Sequence, residues 1–179
     1  REITLWSNQA GNSWSAGQVV STLSTHTHTA ISVVDLLGTG TGCLTWFTTL
    51  PSEGAPRLRY IDLQASKKPH LLVAARNGMG FERILSYAPS TTFYLEDYFA
   101  GIRWATKLPF PVHVVSRVET RDYLAGTRLV STFRYRHGYF DGKEREFRGF
   151  GLVEQSDAEM VKSEHGSGEF PTDIFPVVD

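Results

Sequence analysis

The sequence predicts an all-β chain with one short helix. Three observations point that way: short runs of alternating apolar and polar residues, polar turns rich in Asn, Gly and Ser between them, and a single stretch with helix start and stop signals. With 179 residues, 41% hydrophobic and 21% charged, the chain is long enough to bury a core.

Residues 1–68 read as short strands joined by polar turns. "REITLW" alternates and runs into the turn "SNQAGNSW", and "SAGQVVSTLS" is again extended. "AISVVDLLGTGTGCLTWF" is a strand, a glycine-rich loop and a second strand; "RLRYIDL" follows the loop from Pro51 to Pro56. Strands this short and evenly spaced suggest a sandwich or a propeller blade. Residues 69–111 change character. "HLLVAARNGMGFERILSYA" gives two strands around Asn77 to Gly80. "STTFYLEDYFAG" gives the helix, with Ser90 or Thr91 as its cap and Gly101 as its end. "KLPFPVH" then restores an extended chain. Residues 112–160 form antiparallel hairpins, "VHVVSRVETRD" returning as "RLVSTFRYRHG" and "KEREFRGFGLVEQSDAE". In the second of these strands Leu129, Ser131, Phe133 and Tyr135 make an apolar face, and Arg128, Val130, Thr132, Arg134 and Arg136 a wet one. Residues 161–179 are polar with scattered apolar residues and are expected to be poorly ordered.

Net charge is -1, so no basic field points to nucleic acid. No apolar run approaches the roughly 20 residues that cross a bilayer. The lone Cys43 has no thiol to pair with and reads as a small buried residue. "REITLWSN" has neither an initiator Met nor a signal peptide, so the chain is expected to be an excerpt of a longer protein.

Several motifs resemble chemistry. "VVDLLGTGTG" makes Asp35 a candidate calcium ligand, but alternate oxygens would fall at Asp35, Leu37 and Thr39, and Leu37 has no side-chain oxygen. Gly38 and Gly40 are expected to shape a tight turn instead. His26 and His28 have the spacing of a zinc pair without a third ligand, so neither a metal nor a cofactor is expected. Glu144 and Glu146 match the Glu-x-Glu signature of ADP-ribosyltransferases, yet Ser131 lies too near in sequence for a nicotinamide pocket to form between them.

"HGYFDGKEREFRGFG" is instead read as a hairpin that fixes its own alignment. Asp141 and Gly142 make the turn. Glu144, Arg145, Glu146 and Arg148 set strand pairing, and Phe147 and Phe150 anchor it. The two rings share a face only if a bulge, expected at Gly149, resets the alternation. No catalytic residue is assigned. A carbohydrate- or surface-binding β module is the alternative, if Trp6, Trp14 and Trp46 line one exposed face.

"LPFPVHVVSRVETRD" with "RYRHGYFDGKEREFRGFGLVEQSD" resembles the middle region of the B component of bacterial insecticidal Tc toxin complexes, shared with SpvB-type and Rhs-related proteins. "VVDLLGTGTGCLTWF" and "PHLLVAARNGMGFERILSYAPST" resemble the stretch before it, a propeller of FG-GAP-like blades. The resemblance implies a propeller that docks on the membrane-translocating A-type pore. It also implies a hollow Rhs shell, built with a C-type protein, around a toxic domain. Residues 1–68 would be late blade strands, 69–111 a connector, and 112–160 the opening shell strands. The related alternative is the scaffold of an SpvB-type toxin whose transferase lies elsewhere.

Overall fold

The computed structural model describes residues 3–20, 29–47 and 58–161, with side chains through 158. His26, His28, the Pro51 to Pro56 loop and the tail from 162 lie outside the described residues. The described chain is mostly antiparallel strand with one helix, as expected. No helix among the described residues is long and apolar enough to cross a membrane. The chain divides into two compact units, Arg1–Val34 with Cys43–Asp62, and Asp35–Gly42 with Leu63–Asp179.

In the first unit, β1 (Ile3–Leu5) pairs with β4 (Gln18–Val20), and the chain between them folds as a hairpin of β2 (Asn8–Gln9) and β3 (Ser13–Trp14). Its turn is closed by the Asn8 side chain, which accepts the Gly11 N–H at 2.7 Å. A second sheet is a meander of β5 (Ala30–Val34), β6 (Cys43–Phe47) and β7 (Leu58–Asp62). Its central strand is buried at Cys43, Leu44, Thr45 and Trp46 in succession, so both of its faces are covered.

The second unit is a five-stranded meander in sequence order. Its strands are β8 (Ala74–Arg76), β9 (Phe81–Pro89), β10 (His113–Asp122), β11 (Thr127–Asp141) and β12 (Glu146–Val161). The β8–β9 turn is built by Asn77, whose side-chain oxygen accepts the N–H groups of Met79 and Phe81, while Gly78 and Gly80 take positive φ. Helix α1 (Ser90–Phe99) follows β9 without a gap. Neither expected cap acts as one. Pro89 occupies the N-cap position with no side-chain bond, the Ser90 hydroxyl accepts the Val112 N–H, and the Thr91 hydroxyl donates to the Gly38 carbonyl. Both hydroxyls are drawn into longer-range contacts. The helix end matches expectation: Gly101, at φ +80°, donates to the Tyr98 carbonyl and Ile102 to that of Asp97, the paired bonds of a Schellman motif.

At the start of β11 the two faces are covered in the opposite sense to the sequence reading, whereas farther along Arg134 is exposed and Phe133 and Tyr135 are half-buried, as that reading had it. Arg128 and Val130 are buried at 5% and 2% exposure, whereas Leu129 is 43% exposed. Arg128 turns inward because a carboxylate, Glu119 of β10, is buried with it.

β11 and β12 run about 50 Å as one hairpin, at the usual strand rise per residue. Residues 142–145 form its turn, capped by the Asp141 side chain, which accepts from the N–H groups of Lys143 and Glu144. The left-handed residue there is Arg145, at φ +55°, while Gly142 has no positive φ. Glu144 and Arg145, expected in the pairing strands, therefore lie in the turn: closing the hairpin takes four residues. The register then shifts where Tyr139 faces Gly149 and Phe140 faces Phe147, which leaves Arg148 as the extra residue of a bulge. Gly149 sits in it at φ +101°.

These conformations lead to opposite outcomes for two glycines in open space. In urea unfolding, Gly142→Ala should be neutral or stabilising by up to about 1 kcal/mol. Gly149→Ala should cost roughly 1 to 3 kcal/mol through backbone strain alone. Equal effects of the two substitutions would refute the turn and bulge assigned here.

Candidate functional site

The polar side chains of the second unit converge on two carboxylates. Asp97, on the last turn of α1, is 1% exposed. It accepts the Trp104 indole N–H at 2.8 Å and Arg136 Nε at 3.0 Å, with Arg134 Nη2 at 3.6 Å. Arg134 also pairs with Glu96, and Arg136 with Glu154 of β12. Burial alone would raise the Asp97 carboxyl, but the Trp104 and Arg136 hydrogen bonds and the neighbouring guanidinium charges outweigh it. The group is held below its ordinary value.

The second node is Glu119. One carboxylate oxygen accepts Nε of Arg121 and Nε of Arg128, and the other accepts Nη2 of Arg117 and of Arg128. Here too burial opposes ionisation, and the Arg128 and Arg121 bonds override it to lower the pKa. Beside it Glu82 is lowered by hydrogen bonds from Tyr123 and then Arg76.

An aromatic cluster couples helix to hairpin. Phe147 meets Phe150 at 5.5 Å between ring centroids, Phe150 meets Tyr135 at 5.0 Å, and Tyr135 meets Phe93 of α1 at 5.7 Å. The segment after α1 straps across the same strand: the Ala105 N–H donates to His137 Nδ1 and the Thr106 hydroxyl to the Gly138 carbonyl. Between α1 and this strap is a cavity of 290 Å³, whose lining includes Tyr94, Trp104, Lys107 and Phe110. Of the residues singled out from the sequence, only the two cap candidates, Ser90 and Thr91, line it.

Those residues lie in two separate places. Asp35 accepts the N–H groups of Thr39 and Gly40 at 3.0 and 2.8 Å, closing a loop in which Gly38 and Gly40 have positive φ. Its carboxylate shapes backbone, and no metal-binding cluster of His, Cys, Asp and Glu is found among the described residues. Asp141, Gly142, Glu144 and Arg145 form the hairpin turn. Glu146 pairs with Arg148 at 3.0 Å on the surface, and Phe147 and Phe150 enter the aromatic cluster. Glu144 therefore lies in a turn and Glu146 at its edge, and neither lines the cavity. Trp6 and Trp14 are exposed but Trp46 is buried, so the three tryptophans do not form one exposed face.

The family model for the insecticide toxin TcdB middle/N-terminal region matches residues 6–172. The chain belongs to this family. Among solved structures it is similar to TcdB2-TccC3, with 31% identity and a TM-score of 0.75. It is likewise similar to TcdB2-TccC3 without its hypervariable C-terminal region, with 30% identity and a TM-score of 0.74. The TcdB2-TccC3-Cdc42 structure gives 30% and 0.75. Each match covers 90% of this chain and 8% of the other. No curated protein matches the chain. The sequence resemblance to a Tc toxin B component thus agrees with the TcdB middle/N-terminal assignment.

Asp97, Trp104 and Glu119 drew no notice in the sequence. Glu119 and Arg128 could have been found by pairing "RVETR" with "TRLV" in hairpin register, which places both on one face. Asp97 and Arg136 are 39 residues apart and had no such signal.

Removing the buried Asp97 charge should be costly. Asp97→Asn is expected to destabilise the chain by about 3 kcal/mol, the scale of breaking a buried ion pair. A carboxyl with a depressed folded pKa contributes above its unfolded value near 3.9 and loses that contribution as pH falls through the folded one. The wild-type advantage should therefore be full above about pH 5 and shrink below about pH 4. An advantage unchanged down to about pH 2 would contradict the ionised hub.

Proposed function

We propose that the chain is a non-enzymatic structural segment of a Tc-type toxin B component, where a translocator-docking propeller passes into an Rhs shell that encapsulates a toxic domain. In this reading residues 1–68 are late blade strands, 69–111 the connector and 112–160 the first shell hairpins. Asp35, Gly38 and Gly40 shape a loop, and the 141–150 stretch holds the long hairpin in register. The observation that carries the reading is the 90% coverage by TcdB2-TccC3 at 31% identity and a TM-score of 0.75. Its partners are a C-type Rhs protein and an A-type pore, and it works outside the producing cell. The chemistry of the second unit supports a scaffold: its most buried carboxylates are occupied by guanidinium and indole N–H groups.

Size-exclusion with light scattering tests it on the full-length parent, co-expressed with any Rhs-type protein encoded beside it. A stable one-to-one complex retaining a protected, cleaved C-terminal fragment is expected. A parent that stays monomeric and retains no fragment would overturn the proposal in favour of an SpvB-like or surface-binding scaffold.

A further inference from the structure

His113 opens β10, and both of its ring nitrogens are buried with no hydrogen-bond partner. A neutral imidazole carries one donor and one acceptor, and here neither is used. Against the ring lies the Asp35–Gly42 loop of the same unit. A Cβ at Gly40 would stand 2.7 Å from His113 Cε1 and 3.1 Å from Nδ1, so the loop comes this close only because that residue is glycine. The Thr91 hydroxyl holds the loop from α1 by its 2.5 Å bond to the Gly38 carbonyl. The charged groups facing the ring are Asp35 from the loop and Lys68 from the segment before β8; Pro89, paired with His113 on β9, and Ser90 and Thr91 on α1 are uncharged. Burial lowers the imidazole pKa, Lys68 adds to that, and Asp35 opposes it.

We propose that His113 is a proton-operated latch for the Asp35–Gly42 loop. Neutral, the ring accepts the loop lying against it. Protonated, it becomes a buried cation with two N–H donors, and the closed loop offers neither an acceptor. The anion facing it, Asp35, is already bound to the Thr39 and Gly40 N–H groups, so it can pair with the imidazolium only by undoing the turn it closes. Hydration of the ring likewise requires the loop to lift. Either route opens the same segment, the chain that joins β5 to β6.

The sign follows from linkage. A histidine whose folded pKa is depressed takes up its proton on opening, so closure is favoured above about pH 6.5 and weakens as pH falls below it. Hydrogen exchange on the full-length parent, between about pH 7.5 and about pH 5.5, reads this directly. Protection factors of the amides at 38–42 should fall by up to about tenfold for each pH unit below about 6.5. Those of the turn at 77–81 should hold steady. His113→Phe, a ring that cannot be protonated, should abolish the step.

Flat protection in the wild type would overturn the latch without any variant, should His113→Phe fail to fold. An equal loss at 77–81, or the same step in a folded His113→Phe, would assign the change to general acid loosening and also overturn it.

Discussion

Glu119 accepts four hydrogen bonds from three guanidinium groups on the inner face of a β-sheet, at 6% exposure. The rest of the second unit is arranged around the need to keep that carboxylate, and Asp97 on the helix, ionised and fully bonded. A buried carboxylate without such partners would be strongly destabilising, and a buried Arg128 without Glu119 equally so. Each member of the network is therefore held in place by the others. Among the described residues, the buried apolar side chains of this unit are Phe93 and Val130 alone. Directional polar contacts thus carry alignment that apolar packing leaves open.

Register is the quantity these contacts fix. β10, β11 and β12 are 10, 15 and 16 residues long, and such strands can slide in whole-residue steps. A slip of one residue between β10 and β11 would turn Arg128 away from Glu119 and set Leu129 in its place. The Gly149 bulge makes the matching correction in β12. By inserting Arg148 it brings Phe147 and Phe150 together, and Phe150 then reaches Tyr135 and, through it, Phe93 on α1. One glycine at positive φ thereby connects the end of a hairpin to the seating of the helix.

The strand and turn pattern was legible in the sequence because alternation and Asn, Asp and Gly placement are local properties. "NGMG" makes its turn, "DG" begins one, and Gly101 ends the helix. What was not legible depended on distant partners. Ser90 and Thr91 have capping chemistry, yet their hydroxyls are taken by Val112 and Gly38. The alternation in β11 was read correctly, but Arg128 was placed in water because nothing local says that a carboxylate waits opposite. Arg145 took the left-handed position that composition would assign to Gly142, since the four-residue turn puts its strained residue last.

The arrangement of carboxylates also bears on what the molecule does. A catalytic carboxylate needs a lone pair free to take a proton from a substrate and a cavity in which to meet it. Glu119 and Asp97 sit among cationic and indole donors that lower their proton affinity, and Glu146 faces Arg148 at the surface. Glu119, Asp97 and Glu146 thus each have a guanidinium partner. Such pairing keeps long strands aligned, because the register it fixes extends along the whole hairpin.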